Sequence, residues 1–289
     1  MTEVPQLHAL LIGLPKTGKT TFLAGLWHIV QDNSTESLLE LSGLEGDRTY
    51  LNRIHKSWLS CSEIGRTNLN DMQTVKLSLN DKNGRHIQVI IPDHFGEVFQ
   101  LQLSERRWSP EYEAMAQSAD GILLFVHPGK LNLGPRLDIA NILAITIKEA
   151  NDTSSAEGNN DDKPKPWTYD DMPTQVGYVE LLQFLLERRG SDKGLNTVVI
   201  ISAWDLIPQG NPDEVLRTYL PLLHQFLESN NDIINYSVVG VSAQGGDLKR
   251  DHTKLVETMS ASDRIQVEGL NCPPHDITAP ISWLLDQQG

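Results

Sequence analysis

Two hydrophobic periods alternate along this chain. Residues 8–14 form a short apolar run ending around a glycine, the mark of a buried parallel strand. Residues 20–30 switch to helical spacing, with Phe22, Leu23, Leu26, Trp27 and Val30 on one side, and a polar stretch at 32–36 closes that helix. A second helix is predicted over 47–62, where Tyr50, Leu51, Ile54, Trp58 and Leu59 share a face. Residues 74–79 and 86–91 alternate apolar with polar, and Asn83-Gly84 between them signals a hairpin. Further strands are predicted at 121–126, 197–202 and 236–242, and helices at 111–119, 137–148, 175–189, 213–229 and 279–286. Strands separated by helices over the whole length predict an α/β fold with a mostly parallel sheet.

One segment breaks the pattern. Residues 149–172 carry seven acidic side chains against Lys163 and Lys165, with Ser, Asn, Gly and two prolines, and read as a surface insertion. A second insertion, at about 35–65, contains the helix predicted over 47–62. The chain is thus expected to be a single domain, 1–289, enlarged at two places.

Composition narrows the classes. Of 289 residues, 39% are hydrophobic and 21% charged, enough for a sizeable core. The formal net charge of -14 opposes general nucleic-acid binding but leaves room for one nucleotide, since backbone amides can hold phosphate locally. Two cysteines, Cys61 and Cys272, support neither a disulfide framework nor a four-ligand zinc site. The first six residues lack the basic and apolar regions of a secretory leader, and the apolar runs at 122–126 and 198–201 fall far short of the roughly 20 residues of a membrane span. A cytoplasmic protein with no membrane span is the expectation; the oligomeric state is open.

The chemistry begins directly after the first strand. Gly13, Leu14, Pro15, Lys16, Thr17, Gly18, Lys19 and Thr20 match G-x-x-x-x-G-K-[ST] between a strand and a helix. In that setting backbone N–H groups wrap a phosphate at a helix N-terminus, Lys19 reaches the β- and γ-phosphates, and the Thr20 hydroxyl ligates Mg2+. Thr21 completes the phosphate-binding set. The competing reading is a loop whose lysine caps a surface.

Three further boxes lie at strand ends. Asp93-His94-Phe95-Gly96 is a D-x-x-G, in which Asp93 would hold Mg2+ through water and the Gly96 amide would register the γ-phosphate. Ser202-Ala203-Trp204-Asp205 stands where [NT]-K-x-D is found in GTPases, with Asp205 suited to accept from guanine and Trp204 read as a core residue. Ser202 and Ala203 depart from that pattern, which makes strict preference for GTP over ATP an open question. Ser242-Ala243-Gln244 is similar to an S-A-K box that supports the base through its backbone. Together these boxes, over 7–246, resemble the translation-factor-related and Ras-like class of P-loop GTPases. The stretches 13–27 (GLPKTGKTTFLAGLW) and 276–285 (DITAPISWLL) look like the bacterial double-GTPase type, associated with conflict and antiviral defence systems.

The resemblance implies a three-layer P-loop NTPase fold with a mostly parallel six-stranded sheet, order 2-3-1-4-5-6, second strand antiparallel. It implies Mg2+ as cofactor, GTP and GDP as ligands, and a protein effector or regulator near the switch regions. Thr67 is the candidate switch I threonine over Mg2+, and Thr74 is a plain strand residue by its β-branched type. Arg66 is a candidate finger in cis. Where the Ras-like pattern has Gln, this chain has Glu97, with His94 a second candidate for positioning water, so slow intrinsic hydrolysis is expected. A nucleotide-dependent scaffold with negligible hydrolysis and a P-loop kinase or ATPase are the alternatives. Residues 105–108 read as a solvated helix or loop with one buried tryptophan, and His127 as a strand end.

Overall fold

The computed structural model describes residues 7–32, 36–64, 74–92, 105–132, 172–189, 194–207 and 210–287. The helix expected at 137–148 and the acidic insertion up to residue 171 lie outside them.

The strands are β1 (Leu7–Gly13), β2 (Leu39–Glu45), β3 (Val75–Asp81), β4 (His86–Ile91), β5 (Gly121–Val126), β6 (Leu195–Ser202), β7 (Ile234–Ser242) and β8 (Gln266–Glu268). The helices are α1 (Lys19–Gln31), α2 (Arg48–Leu59), α3 (Pro110–Ser118), α4 (Thr174–Arg189), α5 (Pro212–Tyr219), α6 (Pro221–Ser229) and α7 (Ala279–Asp286). One eight-stranded sheet runs in the order β2-β3-β4-β1-β5-β6-β7-β8. β4, β1, β5, β6 and β7 are mutually parallel, while β3 is antiparallel to both β2 and β4 and β8 is antiparallel to β7.

The six expected strands therefore occur in the expected order, with the hairpin strand β3 antiparallel. The sheet has eight strands rather than six because each edge carries one more. β2 has an alternating sequence, but its register slips between Leu41 and Gly43, and this bulge breaks the period-two pattern after one repeat. β8 is three residues long, too short for any period to show.

Parallel strands buried on both faces are apolar throughout, and here the alternation sorts their side chains between two cores. Ala9, Leu11, Leu123, Phe125, Val198 and Ile200 pack with α1, α2 and α7. Leu10, Ile12, Ile122, Leu124, Val199 and Ile201 pack on the other face with α3, α4, α5 and α6. Helix starts follow local chemistry. The Asp47 side chain accepts from the Thr49 N–H at 2.7 Å, Ser109 accepts from Tyr112 N, and Asn211 accepts from Asp213 N, the last two followed by proline at the first helical position. The helix expected over 213–229 is two helices. Pro221 has no N–H to give, and Leu220 before it sits at φ -133°, ψ 55°, outside the helical region. Among the described residues no helix is long and apolar enough to cross a membrane.

Candidate functional site: the C-terminal ends of β1, β6 and β7

Ligands in open α/β sheets bind beyond the carboxyl ends of the strands, and the loops here gather at that edge. The turn between β1 and α1 is tightly constrained. Gly13 has φ +148°, and a Cβ on it would lie 2.7 Å from the Phe125 carbonyl oxygen and 3.1 Å from Thr17 Oγ1. Gly18, at φ +88°, caps α1, and Lys16 between them also has positive φ. Thr17 is buried and donates its hydroxyl to Leu14 O at 2.8 Å, closing the loop on itself. No acidic residue occupies the first turn of α1, so its N-terminal dipole stands uncompensated by side chains, the electrostatics an anion requires.

Lys19 extends back over this loop. Its Nζ donates to Gly13 O at 2.8 Å, Leu14 O at 2.7 Å and Thr17 Oγ1 at 3.3 Å. Burial disfavours its charge and brings its pKa down to about 7. A half-buried lysine head beside a tightly turned backbone and a helix N-terminus is a donor set that suits a phosphate group. Thr20 and Thr21 follow in the first turn of α1, both half-buried.

β6 ends against this loop. A Cβ on Gly18 would meet Ser202 Cβ at 3.2 Å, and Ser202 Oγ donates to Val126 O at 3.1 Å. Ala203 then turns left-handed (φ 50°, ψ 46°) and starts a short 3-10 turn, Trp204–Leu206. The indole of Trp204 is buried on Gly240 of β7, as its reading as a core residue required. Asp205 is exposed, and its Oδ1 accepts a hydrogen bond from Ser242 Oγ, which itself accepts from Gly245 N at 3.0 Å. The carboxylate is thus fixed to the end of β7 while facing solvent. Ala243 is buried, and its carbonyl accepts the Trp58 indole N–H at 2.8 Å.

His127, at the end of β5, caps the next turn, with Nδ1 accepting from Gly129 N at 3.1 Å. Its pKa is lowered by burial and then by Lys130, with Asp205 opposing. This agrees with its reading as a strand end. Trp108 is half-buried against Tyr112 and Phe184, and Arg106 pairs with Glu180 at 2.9 Å.

The structure therefore brings together Gly13, Pro15, Lys16, Thr17, Gly18, Lys19 and Thr20 in one loop, and joins Asp205 to Ser242 across two strands. Arg66, Thr67, Asp93, His94, Gly96 and Glu97 lie outside the described residues. Of the three expected Mg2+ ligands only Thr20 is described, and among the described residues no group of three or more His, Cys, Asp or Glu is placed to hold a metal. The hydroxyl of Thr20, next to the Lys19 cradle, suits a hard cation shared with phosphate oxygens. Sequence reasoning missed Trp58 as a partner of the loop that follows β7. The 185 residues separating it from Ala243 leave no local signal of the contact.

A family model described as Double-GTPase 1 matches residues 10–284. Among solved structures, the "Signal recognition particle receptor SRb-GTP/SRX complex from Chaetomium thermophilum" is similar at 14% identity and a TM-score of 0.42, over 86% of this chain and 95% of that one. No curated protein matches the sequence. With nearly its whole length matched, the chain belongs to the Double-GTPase 1 family of P-loop GTPases.

Proposed function

We propose that this chain is a cytoplasmic, Mg2+-dependent GTP-binding protein that hydrolyses GTP slowly to GDP and phosphate and serves a protein effector as a nucleotide-controlled switch, in a bacterial conflict or defence system. The observation that carries the reading is the juxtaposition at one sheet edge of a lysine-bearing phosphate loop and an exposed carboxylate fixed by Ser242. Family membership supports GTP as the ligand.

The roles follow from chemistry. Lys19 exchanges its bonds to the loop carbonyls for phosphate oxygens, and the amides of 13–21 neutralise the rest of the charge. Asp205 accepts the N1–H and amino group of guanine, a donor pair that adenine lacks, while Ser242 and Ala243 support the base from β7. Thr20, Thr67 and Asp93 are the residues that would hold Mg2+, which when bound offsets charge on the β- and γ-oxygens. Gly96 would sense the γ-phosphate. Water attacks the γ-phosphorus, the bond to the bridging oxygen breaks, and GDP leaves with that electron pair. Glu97 would orient the water and Arg66 would meet charge developing in the transition state. A carboxylate beside a γ-phosphate adds repulsion, so intrinsic turnover is slow.

The test is the affinity for GTP, GDP and ATP with and without Mg2+. Wild type is expected to prefer GTP, and Asp205→Asn to lose about 10–100-fold in GTP affinity, the value of a charge-assisted pair. Lys19→Met should cost about 100-fold or more for every nucleotide, because a charge-assisted phosphate contact disappears. Equal binding of GTP and ATP by the wild type would overturn the guanine assignment. Single-turnover hydrolysis separates the switch from a scaffold that only binds, the reading that Glu97 in place of Gln favours.

A further inference from the structure

Helix α2 belongs to the segment inserted between α1 and β3, and its C-terminal end is joined to the loop that follows β7. Trp58 is fully buried, and its Nε1–H donates to the Ala243 carbonyl at 2.8 Å. Three residues on, Cys61 Sγ accepts from Gln244 Nε2 at 3.5 Å. Arg264, also buried, stands behind both. Its guanidinium lies 5.5 Å from the Trp58 ring centroid and donates from Nη1 to Trp58 O at 3.2 Å and Leu59 O at 3.1 Å, closing the carbonyl end of α2. The backbone of Arg264 in turn packs on Gly245, where a Cβ would come within 2.7 Å of the Arg264 carbonyl oxygen. The imidazoles of His28 and His55 lie against the ring of Trp58, with centroids 5.1 and 6.1 Å away.

Each residue of the loop from Ser242 to Gly245 is therefore pinned by a different group. Ser242 is tied to Asp205, Ala243 to Trp58, Gln244 to Cys61, and Gly245 to Arg264. The bond at Ala243 has a specific consequence. It fixes the plane of the Ala243–Gln244 peptide directly beyond the residue that supports the base, and it satisfies a buried carbonyl. Without the indole N–H, that carbonyl must rotate to find another donor, and the loop rotates with it.

We propose that Trp58 is a positioning residue for base recognition: its indole N–H holds the Ser242–Gln244 loop in the conformation that retains guanine, so that α2 sets the rate of nucleotide release. This rests on the guanine reading of Asp205 and Ser242. Trp58 does not touch the nucleotide. It acts through Ala243, the acceptor of its indole N–H, while its ring packs on His28 of α1, so the phosphate loop is read separately in the test.

The experiment replaces Trp58 by benzothienylalanine, which keeps the bicyclic shape and lacks only the N–H, with 5-fluorotryptophan at the same position as a control that retains the donor. Dissociation of a fluorescent GDP analogue and the GTP-over-ATP affinity ratio are measured beside thermal unfolding. Loss of the donor is expected to speed GDP release about tenfold and to shrink the GTP-over-ATP ratio, as an unpaired buried acceptor would, while pyrophosphate affinity stays at the wild-type value. The fluorinated control should behave as wild type. Release and selectivity unchanged in a folded variant would overturn the proposal, and so would equal weakening of GDP and pyrophosphate, which marks a general packing role. If the substituted protein does not fold, the wild-type protein labelled with 15N in Trp58 decides. GDP should shift the indole N–H resonance and pyrophosphate should not; the same response to both, or to neither, overturns it. A wild type that binds GTP and ATP equally removes the guanine reading itself, before any variant is compared.

Discussion

Gly240 sits in β7 beneath the Trp204 indole, and a Cβ there would lie 2.3 Å from Cδ2, 2.6 Å from Cε3 and 2.7 Å from Cε2 of the ring. Those are carbon positions of a buried bicyclic system, with no flexible end to swing aside. Gly240→Ala should therefore act as overpacking and cost about 1–3 kcal/mol, read as a lower denaturation midpoint with shifted tryptophan fluorescence. Because Trp204 immediately precedes Asp205, GTP affinity should fall with it, while a variant at an exposed site of the same strand, Asn235→Ser, should leave both near wild type. An unchanged midpoint for Gly240→Ala would show that the indole is free to move. The sequence placed Trp204 in the core by type, but a strand glycine carries no mark of which ring approaches it. The same limit hid Trp58 and Arg264, whose partners are far away in sequence. The glycines and Lys19 of the phosphate loop were legible because their spacing is itself the geometry.

At the level of elements, the long parallel strands were the easiest to read and the edges the hardest. β2 is an edge strand whose period slips at Gly43, and it is anchored from the other end of the chain. Asp276, fully buried, accepts from Leu38 N at 2.8 Å through Oδ2, and from Thr278 N at 2.9 Å and Thr278 Oγ1 at 2.6 Å through Oδ1. Thr278 Oγ1 accepts in turn from Leu39 N at 3.2 Å. The phrase DIT, which looked like a family signature, is thus a clamp that fixes the start of β2 beside the start of α7. Burial pushes the Asp276 carboxyl above its usual range, with the donors from Thr278 and Leu38 opposing. Asp276→Ala leaves those buried donors without their acceptor and should cost about 1–3 kcal/mol. Hydrogen exchange should locate the damage: the amides of Leu38 and Leu39 gain the most exchange, and those of the central strands the least. Uniform acceleration across the sheet would contradict a clamp specific to this edge.

For the whole molecule, the sheet order is the one the GTPase resemblance implies with one strand added at each edge, and it gathers the C-terminal ends of β1, β6 and β7 on one side. Its stability should depend on pH through a contact that joins α1, α2 and the turn Ser262–Arg264. His28 Nδ1 lies 3.1 Å from His55 Nε2, and His28 Nε2 lies 3.2 Å from Ser262 Oγ. Between two imidazoles such a bond needs one N–H and one lone pair, so doubly protonated rings cannot make it. The His28 pKa is lowered by burial first and by Arg264, with Asp32 opposing, and that of His55 by burial and by His28. The unfolded chain, with histidines near about 6.5, therefore binds more protons than the folded one in the acid range. The neutral pair contributes its full stability above that value and loses it as the pH falls through the lowered folded-state values. Thermal unfolding of the wild type should accordingly drop more steeply between pH 7.5 and 5.5 than that of His28→Gln/His55→Gln, in which His127 and the carboxylates still titrate. Parallel pH curves for the two proteins would show that the pair takes up protons equally in the folded and unfolded chains and so does not couple to folding.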